Sequence, residues 1–421
     1  MTDNPLTING TTLVRCALNA LGDIKIPDGV KCIESEAFSD CEYLNSVEIP
    51  DSVTKIDDFA FIRCKNLVSV RLPQNDSLVM GDCIFADCTE LVEVNIPDGM
   101  KRIPYGMFDG CSRLRRVNIP ESVTEIEGQA FCECVRLADV HLPKNLKKIG
   151  IGAFCECKSI VQLELPEGLC EIGGVAFEEC TGLATLAIPN SVTEIGDGAF
   201  AHCPNLKPLV IAEDHPAYRF EDGMLYTKDY HTLKACLLPP VKSISIPDGV
   251  VRIGGGTFEN LAAITEVHIP ESVKEIGCNA FCGCYHLSDI RIPNGVVKVE
   301  CGAFDGCESI ANIQLPKGLA QIGLEAFSGC DSLVSIRIPN SVTKIEGWFL
   351  SQCRRLQEIH FERKGLKSVK YDKVILEGVD KERCMIFVPK GTKEKYREHP
   401  AFEGFRIVEE GEGCSVCYPS K

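Results

Sequence analysis

Four cysteines, Cys132, Cys134, Cys155 and Cys157, form two Cys-x-Cys pairs in "AFCECVRLADV" and "AFCECKSIVQL". Four thiolates are the usual ligand complement of a tetrahedral structural zinc, so a metal centre is the first chemistry these residues suggest. The second is acid–base work by histidine, of which there are eight: His141, His202, His215, His231, His268, His286, His360 and His399. No motif ties any of them to a nucleophile or to a convergent acid–base set. The close glycines of "IGGGTF" and "IGIGAF" always precede the same Ala/Thr-Phe pair, which points to a structural glycine and not a phosphate loop. The expectation is that the chain is not an enzyme and carries no cofactor.

The cysteines cannot be judged apart from the spacing that places them. A unit of 23 residues, as in "LNSVEIPDSVTKIDDFAFIRCKN" from Leu44 to Asn66, repeats along the chain. Its prolines fall at 27, 50, 73, 97, 120, 143, 166 and 189, and again at 247, 270, 293, 316 and 339, with one added residue near Asn75. One column of the unit is Cys at 41, 64, 88, 111, 134, 157, 180, 203, 284, 307, 330 and 353, and Leu at 261. Replacement by leucine marks an apolar slot, where a free Cys acts as a small buried hydrophobe. Cys134 and Cys157 therefore belong to the core. Cys132 and Cys155, with Cys282 in "AFCGC", sit one phase after the core Phe and are expected near the surface as free thiols. A disulfide between Cys132 and Cys155 is the alternative, since neighbouring coils set them roughly 5 Å apart. Zinc is rejected, because no other phase supplies His or carboxylate ligands there.

Each column of the unit has a physical task. Val47 and Ile49 alternate with Ser46 and Glu48, the period of a short strand with one buried face. Pro50 ends the strand in a tight turn. Val53 and Ile56 point inward from a second extended piece. Ala60, Phe61, Cys64 and Leu67 recur at helical offsets, which predicts a turn or two of helix on the return. Eight core positions cannot close a core alone, but stacked coils can cover one another, the logic of a solenoid.

The composition excludes several classes. Asp and Glu number 60 against 44 Lys and Arg, which argues against nucleic acid or an anionic membrane as partner. No apolar stretch reaches membrane-spanning length, so no membrane insertion is expected. The amino-terminal "MTDNPLTINGTTLVRC" does not read as a secretory leader. With 25 cysteines, an odd number, reduced thiols are the default. These features favour a cytoplasmic chain.

The period also divides the chain. Residues 1–34 hold a partial hairpin unit and the first coil, 35–211 a first array, 212–246 one enlarged coil, 247–356 a second array, 357–410 a carboxy-terminal cap and 411–421 a flexible tail. In the enlarged coil "FEDGMLYTKDYHTLKAC" reads as a projecting β-hairpin. "TLVRCALNALGDIKIPDGV" from Thr12 aligns without gaps on "TLKACLLPPVKSISIPDGV" from Thr232, with "TING" supplying an Asn-Gly turn. In the cap, Ile359 with Phe361 and Ile386 with Val388 mark strands, and "GTKEKYREH" is polar enough for an exposed helix. Cys414 and Cys417 form a lone Cys-x-x-Cys that lacks the context of a redox or metal motif.

Between the two inward positions of each strand one residue must face outward, a rung every 4.8 Å or so. The first rungs are mixed: Glu48, Arg71, Asn95, Asn118, His141, Glu164, Ala187 and Val210. The later ones are basic: His268, Arg291, Gln314, Arg337 and His360. Glu266, Asp289 and Glu358 stand beside His268, Arg291 and His360, so local pairing competes with ligand binding. Arg337 has only Ser335 there. This half-ladder, walled by the hairpin at 218–236, is the expected ligand surface.

The columns L-x-x-V-x-I-P-x-[SG]-V-x-x-I-x-x-x-A-F-x-x-C resemble those of BspA-like leucine-rich repeats, the Treponema pallidum type, and "VPKGTKEKYREHPAFEGFRIVE" resembles their terminal cap. The resemblance covers residues 12 to about 410. It implies an α/β repeat, a right-handed curved leucine-rich-repeat solenoid with a parallel β-sheet and about 23 residues per coil. It also implies a monomer that binds a protein or glycoprotein ligand, and often a cell-surface adhesin of a bacterium or protist. A cytosolic, thiol-rich adaptor or inhibitor of another protein is the competing reading.

Overall fold

The computed structural model describes residues 4–75, 77–364, 370–371 and 374–410. The chain forms two compact units, Met1–Lys228 and Asp229–Lys421. Both are parallel-strand solenoids built from the repeat. In the first unit the strands Gly22–Lys25, Leu44–Glu48, Ser69–Arg71, Glu93–Asn95, Arg116–Asn118 and Asp139–His141 form one sheet in that order. Register follows the repeat, with Ser46 opposite Ser69, Val47 opposite Val70 and Glu48 opposite Arg71. A second ladder of two-residue strands runs along another side, among them Lys148–Ile149, Glu171–Ile172 and Glu194–Ile195. The second unit repeats both ladders.

The return side of each coil is not helical. Two residues per coil, placed two before and two after the core Phe, hold left-handed backbone: Phe59 and Arg63 around Phe61, Gln129 and Glu133 around Phe131, Asn279 and Gly283 around Phe281. Helix cannot propagate through such residues. Successive tight turns replace it, and alternate amides serve two masters. The N–H groups of Gln129, Phe131 and Glu133 donate to Ile151, Ala153 and Cys155 of the next coil at 2.8, 2.8 and 2.9 Å. Those of Cys132 and Cys134 close turns onto Gln129 and Phe131. The third side is thus another intercoil ladder, with every one of these backbone groups paired. The expected helical offsets were real in the side chains and absent in the backbone, because consecutive turns also return a side chain inward every three or four residues.

Inside, Val47, Ile49, Val53, Ile56, Ala60, Phe61, Cys64 and Leu67 are all buried, as the columns predict. The phenylalanines stack from coil to coil, with centroids from 4.5 Å for Phe38–Phe61 to 6.0 Å for Phe177–Phe200. The I-G column has a backbone reason. A Cβ on Gly150 would lie 2.5 Å from the Gly128 nitrogen, and one on Gly173 2.5 Å from the Gly150 carbonyl carbon.

Hairpins stand where they are expected. Leu6–Asn9 pairs antiparallel with Thr12–Cys16, and Gly10 takes the left-handed turn position. Tyr218–Glu221 pairs antiparallel with Met224–Thr227 around Asp222 and Gly223, both left-handed. In the cap, Glu358–Phe361, Met385–Val388 and Arg406–Glu409 are parallel neighbours. The short helix Lys393–Arg397 is not wholly exposed: Tyr396 is buried and its hydroxyl donates to the Arg363 carbonyl at 2.7 Å. The Cys414/Cys417 pair lies outside the described residues.

Val175, β-branched, sits left-handed at φ 50°, which costs about 1–2 kcal/mol. Val175→Asn, the residue Asn279 supplies at the same phase, should stabilise the fold by about 1 kcal/mol, and Gly173→Ala should lower the denaturation midpoint. A Val175→Asn variant that denatures earlier than the parent would contradict the turn geometry.

Candidate ligand-binding face

Most outward rungs of the strand ladders are exposed because their neighbours must be buried; Glu48 and His360 are half-buried. Asn95, Asn118 and His141 stand in register on adjacent strands. In the second unit His268 ends the strand Glu266–His268, Arg291 lies one residue past Asp289–Ile290, and Gln314 lies beyond the lone bridge Asn312–Ser335. Arg337 and His360 are paired in register. The basic half-ladder is therefore interrupted at Gln314.

Its histidines and arginines are all engaged. His268 Nε2 is 3.0 Å from Glu266 and His360 Nε2 is 3.1 Å from Glu358, the local pairing the sequence suggested. Arg291 pairs instead with Glu271 at 2.7 Å, not with Asp289. Arg337 is not left with Ser335 alone: Glu410 reaches it at 2.9 Å and Glu362 at 3.8 Å. His360 also stacks on Phe387 with centroids 4.6 Å apart. Glu271, Glu362 and Glu410 lie 20 to 73 residues away from their arginine partners, or in its loop, so strand alternation alone did not reveal them.

The thiols divide by coil geometry. All twelve column cysteines are buried. In eleven of them, from Cys64 to Cys353, Sγ lies 3.0–3.4 Å from the carbonyl of the Phe one coil earlier. The slot is thus a donor site as well as an apolar one. Cys41 instead points at the Ala17 carbonyl, 3.8 Å away. Leu261 occurs where the preceding coil is the enlarged one, whose sequence has no Phe at this phase.

Cys132, Cys155 and Cys282 are half-buried, whereas Cys170 and Cys278 are the exposed thiols among the described residues. Cys155 meets Cys132 by a side-chain hydrogen bond, which together with burial raises the Cys155 pKa. No described cysteine is in a disulfide. Carboxylates do share this phase: Cys155 Sγ is 3.7 Å from Glu178, and Asp109 bonds to Cys132, with burial pushing Asp109 up to about 6. The premise that this phase lacks carboxylates is thereby corrected. Four side chains on successive rungs span about 14 Å, too far to converge on one ion. Among the described residues no group of three or more His, Cys, Asp and Glu is placed to hold a metal. His215 is buried with both ring nitrogens occupied, Nε2 by the Pro189 carbonyl at 3.0 Å and Nδ1 by the amides of Ala217 and Tyr218. Its role is to pin a loop. No described helix is long and apolar enough to cross a membrane.

Stacked parallel coils with one buried and one outward residue in alternation define a leucine-rich-repeat solenoid. The chain belongs to the BspA-type family of such repeats, since the profile of a BspA type leucine rich repeat region of six copies matches residues 15–138, 124–226 and 234–357. It is similar in fold to a leucine-rich cell surface protein of Faecalibacterium prausnitzii, at 24% identity over 98% of this chain and 95% of that one, TM-score 0.53. It is similar also to the pneumococcal vaccine antigen PcpA, at 19% identity over 97% and 98%, TM-score 0.52. A leucine-rich repeat protein of Bacteroides ovatus shares 26% identity over 97% and 99%, TM-score 0.48. No curated protein matches the chain.

Burial pushes the thiols of Cys203, Cys284 and Cys353 up to about 12, from an ordinary 9.0. The folded chain keeps protons that the unfolded chain releases, so this contribution is full below about pH 9 and is lost as pH rises towards 12. We expect the denaturation midpoint to fall steadily above pH 9. We also expect a thiol reagent to label Cys170 in the native chain and the column only after unfolding, with Cys278, pushed up to about 11 chiefly by burial, still gaining rate above pH 9. Rapid native labelling of the column would contradict the assignment.

Proposed function

We propose that the chain is a non-catalytic binding scaffold of the BspA adhesin kind, monomeric, that takes a protein or glycoprotein ligand on the outward rungs of its second array. His268, Arg291, Gln314, Arg337 and His360 are the contact residues. The observation that carries this reading is the ladder itself: four of the five polar side chains, all but the half-buried His360, stand exposed at the repeat spacing on a backbone that the buried columns hold rigid. Such a surface is pre-organised, so little ordering entropy opposes binding. The ion pairs do not prevent it. Exposed pairs are worth about 0–1 kcal/mol, and a planar ligand carboxylate can replace Glu271 or Glu410 on an arginine with two parallel hydrogen bonds. The cell-surface description of the Faecalibacterium protein supports an adhesive role by analogy.

A second reading, a cytosolic adaptor or inhibitor, draws support from one feature: twelve cysteines are buried in one apolar column, where they serve as packing groups.

Arg291→Gln with Arg337→Gln should weaken capture of the chain by an immobilised glycoprotein panel about tenfold or more, with the melting temperature nearly unchanged. A loss of that size from Glu48→Lys with Arg71→Gln, and none from the first pair, would move the site to the first array.

A further inference from the structure

The first unit carries a cavity of about 520 Å³ on the outward face of its strand ladder, inside the roughly 300–1,000 Å³ range of small-ligand clefts. Ser69, Arg71, Gln74, Asn95, Asp98 and Asn118 supply its polar wall. We propose that this cavity binds a neutral saccharide. The inference stands apart from the reading of the second array and needs none of its residues.

Charge argues first. Arg71 already faces Glu48 at 3.7 Å and Asp51 at 3.5 Å, and Glu93, also on the wall, faces Arg116 at 3.7 Å. No uncompensated cation is left to hold a phosphate, sulfate or carboxylate, and Asp98 repels them. Apolar anchoring is missing too. Val70, Leu72 and Ile96 line the floor but are 6%, 1% and 6% exposed, so no open slot awaits the aromatic or aliphatic anchor of a protein hot spot. Among the described residues the wall has no aromatic ring on which a nucleobase could stack.

Unused hydrogen-bonding capacity is what remains. Among the described residues, Ser69, Asn95, Asp98 and Asn118 spend none of their side-chain polar groups on the protein. Asn95 is in register with Asn118, so two carboxamides stand about 4.8 Å apart. Each offers two donors and an acceptor, the hydroxyl of Ser69 offers both, and the carboxylate of Asp98 accepts. A sugar hydroxyl is donor and acceptor at once, and a ring of them meets this mixed, nearly neutral set better than any ion or apolar chain does.

The sequence marks the same place. The one residue added to the 23-residue spacing of the first array falls near Asn75, next to Gln74 on the cavity wall. The two residues beside it are tied down: the Gln74 amide donates to Asp51 at 3.0 Å, and Asn75 Nδ2 donates to the carbonyls of Asp51 and Val53 at 3.1 and 2.8 Å. Gln74 and Asn75, next to the break in period, are thus held by the preceding coil at the cavity rim.

The test titrates the full chain with neutral gluco-, galacto-, manno- and N-acetylglucosamine-configured oligosaccharides, beside a heparin fragment and an acidic peptide, read by saturation-transfer NMR and calorimetry. At least one neutral oligosaccharide should bind. Asn95→Ala with Asn118→Ala should weaken it about tenfold or more, Asn95→Asp should weaken it less, and Arg291→Gln with Arg337→Gln should leave it unchanged. Both asparagines are exposed and unpartnered among the described residues, so the variants should keep the parent's melting temperature. Binding of heparin or peptide alone, no binding by any neutral oligosaccharide, or an unchanged affinity in the double alanine variant overturns the proposal.

Discussion

The fold depends on hydrogen bonds that run from each coil to the next on the side where helix was expected. A 23-residue coil with eight buried positions cannot exclude water from its own core. Each coil must lie flush against its neighbour, and the amides of Gln129, Phe131 and Glu133, donating to the coil above, fix that approach. Left-handed residues two places either side of the Phe turn those amides outward along the stack. The strain of about 1–2 kcal/mol at each non-glycine left-handed site is offset by the aromatic stack and by backbone pairing along three sides.

The cysteine column belongs to the same arrangement. Each Phe carbonyl accepts a turn amide, as Phe131 does from Cys134, and then the thiol of the following coil, as from Cys157 at 3.1 Å. Serine would bond there but lose apolar burial, and valine would pack but leave the second lone pair unused. Cysteine is the small side chain that does both. Leucine at 261 fits the rule, because the coil before it offers no Phe at that phase.

Much of this was legible in the sequence, since inward columns recur at a fixed period and burial is a property of phase. The two hairpins were legible from Asn9-Gly10 and from the alternation of "FEDGMLYTKDYHTLKAC". The helix reading failed for a physical reason: Phe59, Gln129 and Val175 carry no sign that they adopt φ above zero, a state imposed by the neighbouring coils. The surface was less legible. Glu271 and Glu410 reach Arg291 and Arg337 from turns and from the cap, contacts that follow from three-dimensional closure and not from strand alternation. Asp109 and Glu178 beside Cys132 and Cys155 could have been found by listing one more column.

The outward rungs, by contrast, are free of the packing constraint, so their chemistry can differ between the two units while the coil stays constant: paired charges on one, unpaired amides around a cavity on the other.

Residue-resolved hydrogen exchange tests the central claim most directly. The amides of Gln129, Phe131 and Glu133 should exchange as slowly as the strand amides of Glu125–Ile126 and Lys148–Ile149, because all close intercoil ladders. Exchange of these three at the rate of open turns, with the strand amides still protected, would contradict the account.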